Sequence, residues 1–320
     1  MMQERQDTMN AIQTNQLTRS FGDLKAVDRL TLEIPRGTVF GFLGPNGSGK
    51  TTTIRLLLGL LDAEEGTAQV LGFDTRKQAD EVRVRCGALL EYHGLYERLS
   101  AADNLDYYGQ IWHMSKADRE KRIRELLEPL DLFKRRDEPI GRWSRGMKQK
   151  LAVARTLMHC PELVFLDEPT AGLDPVASAA LRDDLASLVA QEGVTIFLTT
   201  HNLAEAEKLC TQVGVINHGQ LLAVGSPADL RARTSAPRLY IAGRGFTSQI
   251  VEGLRGNALI ARVQQHKGEL IVDLNDLTRS HEIVTQLTGA GVQIDEVRKE
   301  KAGLEEVFLR LVDEEKQGEE

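Results

Sequence analysis

This 320-residue sequence excludes several classes of protein by what it lacks. Its three cysteines, Cys86, Cys160 and Cys210, are isolated from one another and form no CxxC or Cys/His cluster. This argues against a disulfide framework or a zinc site and favours a reducing compartment. No apolar run approaches the roughly 18 residues of a membrane-spanning helix, and the polar residues 1–15 lack the apolar segment of an export signal. The net charge of −7 argues against nucleic acid as a partner. We therefore expect a cytoplasmic protein that spans no membrane.

A phosphate-binding loop is the strongest feature that the sequence does contain. Residues 44–52 show two glycines flanking four residues and then Lys-Thr, between a buried-strand pattern at 38–43 and a helical pattern. The glycines let the backbone turn its N–H groups toward a polyphosphate, and the helix N-terminus adds partial positive charge. We expect Lys50 to reach the β- and γ-phosphates and the Thr51 hydroxyl to ligate Mg²⁺. The predicted nucleotide-binding residues of the loop are Gly44, Pro45, Asn46, Gly47, Ser48, Gly49, Lys50, Thr51 and Thr52.

Two carboxylates and a histidine follow buried-strand patterns. The apolar run 163–168 ends in Asp167 and Glu168, and the run 194–201 ends in His201. Open α/β sheets carry their ligand chemistry at the carboxyl edge of such strands. Asp167 is expected to hold Mg²⁺ together with Thr51, and Glu168 to orient or deprotonate water.

Two other candidates have both a structural and a functional interpretation. Phe21, on a loop before the phosphate-binding loop, is either a core residue or a ring that stacks on a nucleotide base. Ser144, in a Ser-x-Gly loop with Gly146, is either a helix N-cap or part of a second phosphate site at a helix N-terminus. The sequence leaves both pairs of alternatives open.

The order of patterns predicts two domains, at 10–232 and 238–313. In the first, strands at 12–19 and 25–34 and a single strand at 68–73 precede a helical insert of about 97–150. A linker follows at 235–237, and the remainder reads as β-α-β-β-α-β, the ferredoxin-like order. A helix over 303–313 and a frayed acidic tail over 314–320 complete the chain.

Four motifs, which occur in the order that the family has, resemble those of the ATP-binding subunits of ABC transporters, and the resemblance covers about residues 12–230. The loop at 44–52 looks like Walker A, and 163–168 looks like Walker B with Glu168 in the position of the catalytic glutamate. Residues 143–147 stand where the family has its signature, and 171–174 resemble the D-loop. In this family Asp174 and a base-stacking aromatic at the position of Phe21 belong to the nucleotide site, and His201 matches the switch histidine.

The sequence departs from the family in two places. The usual signature is Leu-Ser-Gly-Gly-Gln, of which only Ser144 and Gly146 remain; the ending Gly-Met-Lys-Gln is similar to exporters of drugs, polysaccharides and lipo-oligosaccharides. Glu91 stands where the family has its Q-loop glutamine, and its carboxylate could face the metal or its water. Domain 238–313 also looks like the C-terminal region of that exporter group.

The resemblance implies an α/β P-loop NTPase with an antiparallel subdomain and a helical insert, followed by a small α+β domain. It implies ATP and Mg²⁺ as cofactors and a head-to-tail dimer in which Ser144 and Gly146 of one copy cover the ATP of the other. A separate transmembrane permease would hold the protein on the cytoplasmic face of the membrane. The alternatives are a soluble ABC ATPase that acts in translation or repair, and a P-loop kinase that phosphorylates a small molecule.

Overall fold

The computed structural model describes residues 10–234, 238–266, 269–275, 279–300 and 303–318. The chain folds as two units, the first ending at Ser226 and the second beginning at Pro227, ahead of the boundary that the sequence places at 232–238. Within the described residues, no helix is long and apolar enough to cross a membrane.

The first unit contains ten strands and seven α-helices among its described residues. The strands are β1 Asn10–Phe21, β2 Leu24–Pro35, β3 Val39–Leu43, β4 Glu65–Val70, β5 Phe73–Asp74, β6 Cys86–Leu89, β7 Leu163–Asp167, β8 Thr195–Thr200, β9 Gln212–Asn217 and β10 Gln220–Gly225. The helices are α1 Lys50–Leu57, α2 Ala79–Arg83, α3 Ala101–Ile111, α4 Lys116–Leu127, α5 Arg145–Thr156, α6 Pro175–Glu192 and α7 Leu203–Leu209.

A six-stranded sheet in the order β10-β9-β3-β8-β7-β6 places the predicted site. Strands β6, β7, β8, β3 and β9 are parallel, and β10 is antiparallel at one edge. Because parallel strands end at the same edge, β3, β7 and β8 deliver the phosphate-binding loop, the two carboxylates and His201 to one place.

Four phenylalanines hold the three central strands together. Phe40, Phe42, Phe165 and Phe197 are fully buried, and their ring centroids lie 5.4 to 6.4 Å apart. Such offset and tilted ring pairs add to the stabilisation from burial. The rings lie beneath the carboxyl edge and fix the strands that carry the site.

A second sheet of the first unit is antiparallel, in the order β2-β1-β4-β5. The single strand predicted at 68–73 is wrong, because the chain turns at Leu71 and Gly72, where φ is 54° and 88°. Val70 then pairs with Phe73. Two consecutive residues with positive φ form the turn that joins two antiparallel strands, so the segment is a hairpin.

Two helix N-caps and one buried ion pair stabilise the helical insert. Ser100 forms a reciprocal capping box with Asp103 before α3, and the Ser115 hydroxyl accepts from the Asp118 N–H before α4. Buried Arg122 on α4 donates to both oxygens of Glu192 at the end of α6, at 2.9 and 2.8 Å. This pair fastens the insert to the sheet unit.

The second unit has the predicted ferredoxin-like order. Its elements are α8 Pro227–Thr234, β11 Arg238–Arg244, α9 Ser248–Arg255, β12 Ile260–His266, β13 Glu269–Leu274, α10 Ser280–Gly289, β14 Gln293–Glu300 and α11 Leu304–Gly318. The four strands form an antiparallel sheet in the order β12-β13-β11-β14. One face packs on α9 and α10 through an apolar core that includes Leu239, Val251 and Ile283.

The predicted linker 235–237 of the second unit lies outside the described residues. The last helix is longer than predicted, since α11 continues to Gly318 through most of the segment expected to fray. Glu and Lys, which fill 314–316, are good helix formers and extend a helix that is already started.

Candidate nucleotide-hydrolysis site

The phosphate-binding loop wraps as its glycines allow. Gly47 and Gly49 have φ of 82° and 105°, and Gly49 precedes α1 with no side-chain cap in the described structure. A Cβ on Gly44 would lie 2.3 Å from the carbonyl oxygen of Ile216. The Ser48 hydroxyl is buried with no hydrogen-bond partner among the described residues. A buried hydroxyl without a partner at the N-terminus of a helix suits a phosphate oxygen.

Lys50 is held inside the loop that it serves. Its side chain is buried, and Nζ donates to the carbonyl oxygens of Gly44 at 2.8 Å and Pro45 at 3.0 Å. Nζ also lies 3.2 Å from Oε1 of Glu168. The ammonium group is therefore held in place beside the loop, where it could also form an ion pair with a negatively charged ligand.

Asp167, at the end of β7, is bonded through both carboxylate oxygens. Thr51 Oγ1 donates to Oδ2 at 2.7 Å, and Thr199 Oγ1 donates to Oδ1 at 2.5 Å. The predicted pair of Thr51 and Asp167 is thus brought together by helix α1 and strand β7. Carboxylate and hydroxyl oxygens are ligands that Mg²⁺ accepts.

Glu168 lies between a cation and the histidine. Its Oε2 is 2.9 Å from Nδ1 of His201, and its Oε1 faces Lys50. Its φ is 47°, in the left-handed region that a side chain makes costly, by about 1–3 kcal/mol. This backbone turn directs Glu168 away from Asp167, so that adjacent residues reach different partners.

A cavity of about 310 Å³ opens at this edge, and Thr51, Asp167, Glu168, Glu91 and His93 line it together with Arg145. Glu91 therefore lies in the same cavity as the predicted metal ligands. Burial, and then the positive charge of Arg145, lowers the pKa of His93. The lowered pKa favours the neutral form of His93 in a cavity that three carboxylates and one guanidinium line.

The predicted residues Ser144, Gly146 and Asp174 do not line this cavity within their own copy of the chain. The Ser144 hydroxyl accepts from the Met147 N–H at 3.2 Å, so Ser144 is the N-cap of α5. Gly146 follows in the first turn of α5, and a Cβ there would lie 3.2 Å from the Cβ of Ala177 on α6. Asp174 caps α6 through the N–H groups of residues 176 and 177.

Phe21 is not a core residue. Its side chain is 48% exposed at the end of β1, where the Arg19 guanidinium lies 5.1 Å from the ring centroid. Strand β2 follows Phe21 and passes close to the phosphate-binding loop. A Cβ on Gly49 of the loop would lie 2.1 Å from the carbonyl oxygen of Ala26 on β2. Exposure removes the core interpretation and leaves the ring available for stacking.

Sequence reasoning overlooked two residues that support the carboxylates. Thr199 bonds Asp167, as described above, and the side chain of buried Gln149 donates to the carbonyl oxygen of Pro169 at 2.6 Å. Thr199 lies two residues before His201 on the same predicted strand. This closeness in sequence is the one feature from which Thr199 could have been predicted as a site residue. The Gln149 contact joins α5 to the turn after Glu168.

Comparison with known proteins matches the same two regions. The family model described as ABC transporter matches residues 27–171, and the model of the C-terminal domain of DrrA1-3-like ATP-binding proteins matches residues 225–312. The daunorubicin resistance ATP-binding protein DrrA3 of Streptomyces coeruleorubidus is 36% identical, over 94% of this chain and 95% of that protein.

Two further matches extend the comparison. The bacitracin transport ATP-binding protein BcrA of Bacillus licheniformis is 41% identical over 66% of this chain and 68% of its own length. The structure of cbiO1 from Clostridium perfringens, part of the ABC transporter complex cbiONQ, has a TM-score of 0.66 at 25% identity, covering 70% of this chain and 91% of its own. These findings give no support to a role in translation or repair. The chain belongs to the ATP-binding subunits of ABC transporters, which bind ATP and hydrolyse it to power transport.

Proposed function

We propose that this chain powers an exporter of drug-like or lipid-linked molecules, and that its permease is a separate chain. The observation that carries the proposal is the match over both units to a protein named for daunorubicin resistance, including the C-terminal domain. We further propose domain limits of 10–232 and 238–313, with the second as an accessory domain.

At the nucleotide site, each residue has a proposed task that its position supports. Lys50 and the N–H groups of the loop neutralise phosphate charge, and Phe21 stacks on the base. Mg²⁺, when bound, would supply electrostatic stabilisation of the phosphate oxygens. Thr51 and Asp167 hold the ion, and Glu91 faces it or its water. Glu168 positions the attacking water and takes its proton, which is general-base chemistry.

His201 orients Glu168 and lies where it can contact the terminal phosphate. Its Nδ1 faces Oε2 of Glu168, so the other ring nitrogen is free to face a ligand. In the structure Lys50 is paired with Glu168. If the terminal phosphate of ATP paired with Lys50 instead, the Glu168 carboxylate would be released to accept a proton from water. ATP binding would then activate the general base.

Two copies of the chain are proposed to bury two ATP molecules head to tail. Ser144, Gly146 and Asp174 do not line the cavity of their own copy, and Ser144 and Asp174 are exposed at helix N-termini. Helix N-termini favour anions. Ser144 and Gly146, at the N-terminus of α5, are thus suited to the phosphates of the second copy, and ATP would hold the dimer together until hydrolysis.

The helical insert and the preceding loop offer a surface for the permease. Tyr92 is 82% exposed, and Ile111, which lies on the face of α3 that looks apolar in sequence, is 50% exposed. Tyr107 adds a third exposed aromatic or aliphatic side chain. Exposed apolar groups of this kind mark interaction sites. Docking there would place the protein on the cytoplasmic face of the membrane, next to the loop that carries Glu91.

The test is a pull-down of the tagged chain from its native cells in mild detergent, followed by identification of the partners and an ATPase assay. A multi-span membrane protein in a two-to-two complex that hydrolyses ATP is the expected result. A chain found only in the cytosol, bound to ribosomes, DNA or nothing, would contradict the proposal. A matched sample with Tyr92→Ser should lose the membrane protein but retain ATP binding.

A further inference from the structure

One buried hydroxyl bonds both acidic residues at the end of β7, the carboxylate of Asp167 and the backbone N–H of Glu168. Thr199 is fully buried on β8. Its Oγ1 donates to Oδ1 of Asp167 at 2.5 Å and accepts from the backbone N–H of Glu168 at 3.0 Å. A carboxylate oxygen accepts and an N–H donates, so a single hydroxyl satisfies both at once.

The strand register places this hydroxyl. Asp167 and Thr199 are direct neighbours in the parallel pairing of β7 with β8. Because side chains alternate between the two faces of a sheet, a shift by one residue would move the hydroxyl to the other face. Threonine is branched at Cβ, which restricts its χ1 angle, so the direction of the hydroxyl is fixed as well.

Glu168 needs this support because its backbone is strained. With φ of 47°, its conformation persists only where surrounding contacts hold it. Its N–H lies between two acceptors of the same residue, the hydroxyl of Thr199 at 3.0 Å and the carbonyl oxygen of Thr199 at 3.1 Å. Both hold the turn that aims the Glu168 side chain.

We propose that Thr199 is a positioning residue that sets the orientation of Asp167 and Glu168 relative to each other. Thr51 and Thr199 share Asp167, one on each oxygen. If the Thr51 hydroxyl were to hold a metal ion instead of bonding Asp167, the bond from Thr199 would keep the carboxylate in place. The inference rests on the proposed Mg²⁺–ATP function of this site.

The test compares four variants of the full chain. Thr199→Val removes the hydroxyl at nearly constant volume, and Thr199→Ala removes it without a second methyl group, in case the valine variant does not fold. Thr199→Ser keeps the hydroxyl. The matched control is Thr195→Val, at the other end of β8, where a buried hydroxyl accepts from the Gly37 N–H at 2.9 Å.

Three quantities are measured: Mn²⁺ binding to the ADP-loaded chain by electron paramagnetic resonance, ADP affinity without metal, and kcat for ATP. Loss of groups that orient metal ligands typically costs about 10–100-fold in metal affinity or activity, and we expect that loss for Thr199→Val and Thr199→Ala. ADP affinity without metal should stay unchanged. Thr199→Ser should remain closer to the wild type than to Thr199→Val, and Thr195→Val should match the wild type.

Two outcomes overturn the inference. One is a Thr199→Val chain that binds Mn²⁺ as tightly as Thr195→Val does; the other is a Thr199→Ser chain as impaired as Thr199→Val. If the wild type itself binds no Mn²⁺ with ADP, the proposed metal–nucleotide site fails, and the inference fails with it. Failure of the proposed site is distinguishable from failure of the Thr199 inference, because it is seen in the wild type before any substitution is made.

Discussion

The glycines of the phosphate-binding loop differ in what surrounds them, and this predicts unequal effects of the same substitution. Gly47 and Gly49 both have positive φ, of 82° and 105°. A Cβ on Gly47 would meet no atom within 4 Å, whereas a Cβ on Gly49 would lie 2.1 Å from the carbonyl oxygen of Ala26 on β2. Gly47→Ala therefore tests backbone strain alone, and Gly49→Ala tests strain together with a steric clash.

The magnitudes follow from these two contributions. A residue with a side chain in this region of φ costs about 1–3 kcal/mol, and the lower entropy of the unfolded alanine chain offsets about 0.4–1 kcal/mol of that in both variants. Relief of the clash at Gly49 requires movement of strand backbone, comparable to overpacking at about 1–3 kcal/mol. Gly49→Ala should thus be less stable than Gly47→Ala by about 1–3 kcal/mol.

The assay is urea unfolding of the nucleotide-free chain, followed by far-ultraviolet circular dichroism, with the wild type measured in parallel. The transition of the first unit should shift to lower urea for both variants and further for Gly49→Ala. Binding of a fluorescent ADP should be lost in Gly49→Ala, because α1 and the loop must move away from Ala26. Equal transitions for the two variants would refute the reasoning, since the contact with Ala26 would then have no energetic consequence.

Two further predictions concern buried titratable groups. Burial against Trp112 lowers the pKa of His159 from 6.5 to about 4. Because only the unfolded chain takes up this proton between those pH values, the contribution of His159 to the unfolding free energy should fall by roughly 3 kcal/mol from pH 6.5 to pH 4. His159→Gln should remove this part of the pH dependence of the unfolding free energy. Burial raises the pKa of Cys86 and Cys210 to about 12, whereas Cys160 is exposed. Ellman's reagent should therefore modify one thiol in the folded chain and three in urea. Rapid modification of all three thiols in the folded state would contradict the burial of Cys86 and Cys210.

The sequence predicts the parts of the site that depend on local pattern. The loop at 44–52 follows from glycine spacing between a strand and a helix, and Asp167 and His201 follow from apolar strands that end in polar residues. These features need only the neighbouring residues in the chain. The ferredoxin-like order of the second unit is predicted for the same reason, since each element carries its own periodicity.

Features that depend on contacts across the sheet could not be read in this way. Thr199 matters because the register of β7 with β8 places it opposite Asp167, and no pattern in one strand gives that register. The hairpin after Val70 was hidden because Leu71 supplies positive φ although leucine rarely does so. The exposure of Phe21 depends on which side of its hairpin faces solvent, which periodicity over a few residues does not decide.

The most direct test of the central claim is Glu168→Gln in the full chain. The substitution keeps the size of the side chain and removes its capacity as a base, so kcat should fall by about 10²–10⁴-fold while ATP binding is retained. Light scattering with MgATP should then show a dimer that persists. Glu162→Gln, at the other end of β7 in an exposed ion pair with Arg36, is the control and should behave as the wild type. Full activity of Glu168→Gln, or no ATP-dependent dimer, would contradict the account.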